Sequence, residues 1–265
     1  MTAAGTLLGV ITAGALIVGR GYGSIYLAIA WTLAALCAIT LLGVKEKPLV
    51  EAPAPIRGRA FAASFLLRGP GYRDFYFVLF TRALVTMGIY SVFTFFQFFL
   101  KDVVRSENPA RDASYLIGII IVTGIPTSLL AGALSDHFGR KPLVYWSGGL
   151  MAAASLLFIG VGLVPSLAAM LWIGALFGVG YGAYQAVDWA LAIDVLPQGN
   201  SAAKDMGIWH VSLVLPQVIA PALTGIILSA LKSRSLLLGY TVVFTSTALW
   251  FILGTVFVRQ IRGAR

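Results

Sequence analysis

Eight runs of roughly 20 apolar residues follow one another along this chain, with polar gaps between them. An α-helix of about 20 apolar residues crosses the hydrocarbon core of a bilayer. Lipid offers the backbone no hydrogen-bond partner but itself, so runs of this length there are helices. The expected fold is all-α: a polytopic membrane bundle of about 8 transmembrane helices. The runs lie at roughly 3–19, 24–44, 75–100, 113–135, 143–164, 167–195, 202–231 and 236–258. The first is short and weakly apolar. The chain is 59% hydrophobic and 11% charged, whereas a soluble domain is nearer half apolar and a quarter charged. So much apolar surface could not be hidden from water in one soluble core of this size.

The net charge of +9 has a membrane reading. The gaps at 45–74, 140–141, 204 and 259–265 hold about twice as many Lys and Arg as the opposite set of loops, which makes them the cytoplasmic set. Both termini are then cytoplasmic, and the plasma membrane is the expected location. No basic run is interleaved with aromatics in a polar domain, so nucleic acid is not an expected partner. Cys37 is the sole cysteine, which excludes an internal disulfide and any Cys/His metal spacing. No metal and no cofactor are expected. H-E-x-x-H, G-x-S-x-G and G-x-x-x-x-G-K-[ST] signatures are missing from the chain, so it does not read as an enzyme.

One gap is long. Residues 45–74 carry four prolines and six basic residues and read as a cytoplasmic linker. Its stretch RAFAASFLLRG could lie on the bilayer as a short basic amphipathic helix. Three parts follow: two transmembrane helices in 1–44, the linker 45–74, and six helices in 75–265.

Polar groups inside a membrane are costly and often functional. In the third run Arg82, Thr86, Tyr90, Thr94 and Gln97 recur at three or four residues, one stripe on a helix. In the sixth, Tyr181, Tyr184, Gln185 and Asp188 form a second. Asp188 is the only acid well inside an apolar run, a carboxyl placed to bind and release a proton or to pair with Arg82 or Lys204. Asp194 lies closer to the helix end and reads as a capping or pairing acid. In the seventh run His210, Gln217 and Thr224 are spaced by seven, again one face. His210 is a candidate proton relay. Arg82, Tyr90, Gln97, Tyr184, Asp188, His210 and Gln217 are therefore the candidate cavity residues. Trp146, Trp189, Trp209 and Trp250 lie mostly near helix ends, as an interfacial aromatic belt would.

Between the fourth and fifth runs stands GALSDHFGRKP, residues 132–142. Gly132 would let its helix approach a neighbour closely. Gly139 permits a tight turn. Asp136 could pair with Arg140 or cap a neighbouring helix, with Arg140 and Lys141 on the cytoplasmic side. Such a group is a conformational latch: it holds two rigid bodies together in one state and releases them in another.

This stretch resembles the loop signature of the major facilitator superfamily, G-x-x-x-D-x-x-G-R-[KR], at Gly132, Asp136, Gly139, Arg140 and Lys141. In that family the motif joins the second and third helices of a six-helix half. The resemblance therefore implies that runs three to eight are a complete carboxy-terminal half, and that the first two close the amino-terminal half. It also implies a secondary transporter that moves a small solute by rocker-switch motion, with protons as a candidate coupling ion. The family has twelve helices, so the chain reads as a truncated form lacking the first four. A second copy or a partner could supply the missing helices. The alternative is a non-transporting truncated protein that assembles with or regulates another membrane protein.

Overall fold

The computed structural model describes residues 22–45, 72–196 and 202–263, with Gly5, Gly9, Thr12 and Gly58 as isolated positions. Two units divide it, Met1–Ala63 and Ser64–Arg265. The expected first span at 3–19 and the amphipathic stretch inside the linker lie outside the described residues.

The first unit contributes α1, Tyr22–Gly43. It is apolar on every face, as a helix surrounded by lipid or other apolar helices must be. Among the described residues, the second unit holds six α-helices. These are α2 (Tyr72–Phe99), which runs on into a wider π-type turn at Leu100–Val104, α3 (Pro109–Phe138), α4 (Arg140–Leu163), α5 (Leu167–Asp194), α6 (Ala202–Lys232) and α7 (Leu236–Phe257). Among the described residues, seven helices are long and apolar enough to cross a membrane. The protein is an all-α, multi-pass integral membrane protein.

Local chemistry sets the helix ends. Asn108 caps α3 through a bond from the Arg111 N–H, with Pro109 at the first helical position. Ser166 and Ser235 cap α5 and α7 in the same way. Tyr72, Arg73 and Asp74 open α2 rather than close the linker, because nothing between them and Phe75 breaks the helix. Pro126, Pro216 and Pro221 sit inside α3 and α6 without ending them.

Helices in lipid gain little from the hydrophobic effect against one another, so close packing and aromatic contacts carry the fold. The α3–α5 contact brings backbone against backbone. A Cβ at Gly182 would strike the Gly124 backbone, and one at Gly178 would strike Ile120. Gly132, expected to make such an approach, meets no other helix among the described residues within 4 Å of where its Cβ would stand. Gly124, two turns earlier, is the glycine that faces α5. On the other side of the bundle, Gly88 and Gly254 let α2 and α7 meet, against Phe251 and Val85 respectively. Where α2, α4 and α7 converge, Phe99 lies 5.0 Å from Phe244, and Phe158 lies 5.3 Å from Phe96 and 5.4 Å from Phe244, between ring centres. This aromatic cluster holds the end of the bundle opposite the GALSDHFGRKP turn. Beside it, Asp102 accepts a 2.9 Å bond from the Tyr240 hydroxyl.

Candidate functional site

The polar residues of α2, α5 and α6 meet in two layers. The deeper layer is an ion pair. Arg82 Nη1 donates to Asp188 Oδ2, and each side chain is 4% exposed. Asp188 Oδ1 accepts a 3.1 Å bond from the Tyr184 hydroxyl, one helical turn away on α5. The guanidinium lies over the Trp209 ring, 3.6 Å from its centre, and Trp189 packs against Trp209 at 4.3 Å. Charge, hydrogen bond and π-face together offset the cost of taking both ions out of water. Arg82 Nε and Trp209 Nε1 remain buried without a hydrogen-bond partner among the described residues.

Trp209 therefore corrects the belt reading. It is fully buried and carries α6 into the ion-pair cluster, whereas Trp146 is 74% exposed as a belt residue would be. An arginine on α2 supplies a reason for burial that proximity to a helix end could not reveal.

The shallower layer is neutral. Gln217 Nε2 on α6 donates to the Tyr90 hydroxyl on α2 at 2.7 Å. Farther from the turn, the Thr224 and Ser91 hydroxyls bond at 3.0 Å, buried. On α5, Gln185 Nε2 donates to the Tyr181 hydroxyl at 3.2 Å. The α5 stripe is thus split: Tyr184 and Asp188 turn inward to Arg82, while Tyr181 and Gln185 are half-buried. Gln97 and Thr94 are exposed, and His210 is exposed next to Trp209 rather than inside the cluster. The heptad spacing of His210, Gln217 and Thr224 does not give them one environment, because α6 is packed at Thr224 and open at His210.

At the turn itself, Gly139 closes α3 and opens α4 with φ 86° and ψ 164°, a conformation that is essentially reserved for glycine. Arg140 does not pair with Asp136. Its Nε donates to Asp194 Oδ2 at the end of α5. The reason is geometric: Gly139 breaks the helix between Asp136 and Arg140, so the two are not stacked one turn apart. Asp136 is exposed and lines a cleft of about 590 Å³ with His137, Arg140, Asp194 and Gly263. Lys141 is half-buried at the start of α4.

Two further carboxylates at this end escaped the sequence reading. Asp74 accepts bonds from the backbone N–H groups of Arg262 and Gly263, at 2.9 and 2.5 Å, tying the chain's last described residues to the start of α2. Asp205, wholly buried, accepts from the Tyr72 hydroxyl at 3.2 Å and faces Lys204. Both lie in charged helix-end sequence where many pairings were open, and only the fold chooses among them.

Six membrane-length helices with an ion pair buried within the bundle and a glycine-hinged charged turn define a class: a polytopic membrane helix bundle. The family model of the Major Facilitator Superfamily matches residues 1–203, and the chain belongs to that superfamily. It is also 27% identical over 231 residues to a Bacillus subtilis (strain 168) protein described as the uncharacterized MFS-type transporter YuxJ. That match covers 85% of this chain and 56% of YuxJ, so the chain spans about half the length of the curated relative it matches.

Proposed function

We propose that this chain is the working half of a secondary transporter, moving a small solute by rocker-switch motion coupled to protons. The observation that carries the reading is the Arg82–Asp188 pair, buried directly beneath an open face of hydroxyls and amides. A carboxylate held by an arginine in one state is a group that can take up a proton when the pair parts, since protonation removes the attraction. Separation of α2 from α5 would then accompany proton binding, and re-pairing would accompany release. The solute face needs a second helical body to enclose it, supplied within a longer chain, by a second copy or by a partner.

The turn at Gly139 acts as the latch of this cycle. Arg140 on α4 and Asp194 on α5 hold the motif end closed, with Gly132, Asp136 and Lys141 completing the turn. In this orientation the turn and both termini are cytoplasmic, in the plasma membrane.

The test is uptake into proteoliposomes under an imposed pH gradient. The native chain is expected to accumulate solute faster when the outside is acidic. Asp188→Asn should abolish the gradient dependence, because an amide cannot cycle a proton. Uptake with an unchanged pH response in that variant refutes the coupling. A second reading, that the chain assembles with another membrane protein without transporting, draws on the same uncovered polar face. Uptake by the purified chain alone rules it out.

A further inference from the structure

Three helices present matching groups around one aromatic ring. Tyr90 on α2 is joined to Gln217 on α6 at 2.7 Å, and Tyr181 to Gln185 on α5 at 3.2 Å. Phe93, one turn beyond Tyr90, packs its ring 5.7 Å from that of Tyr181. All five side chains are half-buried, ordered by the bundle yet open on one side. In each pair a single hydrogen bond uses one amide hydrogen and one hydroxyl oxygen. Whichever way the amide is turned, each pair keeps two donors and at least one acceptor to spare.

The charges near this face are already committed. From Ala83 to Phe99 on α2, from Leu167 to Val187 on α5 and from Met206 to Leu231 on α6, the only residue that can carry charge is His210. His210 stands two turns, roughly 10 Å along the axis, from Gln217. The nearest arginine, Arg82, is spent on Asp188 and on the Trp209 ring. An ion entering here would lose its water and find no counter-charge to offset that loss. A hydroxyl or amide would exchange its water bonds for equivalent ones.

The geometry points to an uncharged solute, with hydroxyl or amide groups that bridge the Tyr90–Gln217 and Tyr181–Gln185 pairs and an apolar or ring face laid on Phe93. The assignment rests on the transport reading for its purpose, but binding measures it separately. Three probes share one ring and differ in charge: phenyl β-glucoside, phenyl phosphate and phenyltrimethylammonium. Calorimetric binding to the full chain in lipid nanodiscs should favour phenyl β-glucoside at least tenfold over the two ions. Tyr90→Phe and Gln217→Leu, each checked for native thermal unfolding, should weaken the glucoside at least tenfold.

Tighter binding of phenyl phosphate, lost in Arg82→Gln, would overturn the assignment, since it requires Arg82 to leave Asp188. So would glucoside binding indifferent to both variants, or none at tens of millimolar. Uptake is read apart from this. A chain that binds the glucoside and moves no solute refutes transport alone, and one that takes up only ions refutes the neutral-solute assignment alone.

Discussion

Helix α5 ends in two carboxylates, Asp188 and Asp194, and each binds an arginine on another helix. Asp188 holds Arg82 on α2 with both side chains 4% exposed, whereas Asp194 holds Arg140 on α4 with exposures of 30% and 21%. The residue types are the same, and depth makes them different devices. The deep pair has no water to replace a lost partner, so it is costly to break and fit to serve as a gate. The shallow pair competes with water and salt, contributes little to stability and can open readily. One helix thus carries a stiff joint and a soft one, separated by six residues, or roughly 9 Å of axis.

The widest departure between the two should come from removing an arginine. Arg82→Leu leaves Asp188 buried and unpaired, and should cost about 3–5 kcal/mol, read as a loss of thermal stability in detergent. A loss below about 1 kcal/mol would place Asp188 in contact with water and erase the distinction. The stiff joint also depends on the close α3–α5 seat. Gly182→Val pushes a side chain into the Gly124 backbone and should cost about 1–3 kcal/mol, through overpacking. Thr224→Val removes one buried hydroxyl bond to Ser91 and should cost about 1 kcal/mol. Arg140→Ala should cost about 1 kcal/mol or less. That cost should shrink as ionic strength rises from about 0.01 to about 1 M, where screening shortens from about 30 to about 3 Å. The Arg82 variant should show no such salt response.

The helical body was readable because its signal is repeated. Each of the last six apolar runs is bounded by caps, prolines or charges, and the helices fall within a few residues of those bounds. The motif's Gly139 was readable too, since its backbone angles admit little else. Pairing was harder. Asp188 was open to Arg82 or to Lys204, and the packing of α2 against α5 chooses Arg82. Arg140 had Asp136 near in sequence, while Asp194 is near only once α3, α4 and α5 are packed. Trp209 was hidden for the same reason: its burial is a property of what α2 and α5 bring to it. Gly132 misled because small size permits a close approach, and only the neighbouring helix decides whether one occurs.

The central claim, that Arg82 and Asp188 act as one buried unit, has a direct test. Thermal or denaturant unfolding of native protein, Arg82→Gln, Asp188→Asn and the double variant completes a double-mutant cycle. The predicted result is that the double variant is more stable than the sum of the two single losses implies, by about 2 kcal/mol or more. Losses that add to within about 0.5 kcal/mol would mean that the two side chains do not sense each other, and would contradict the claim.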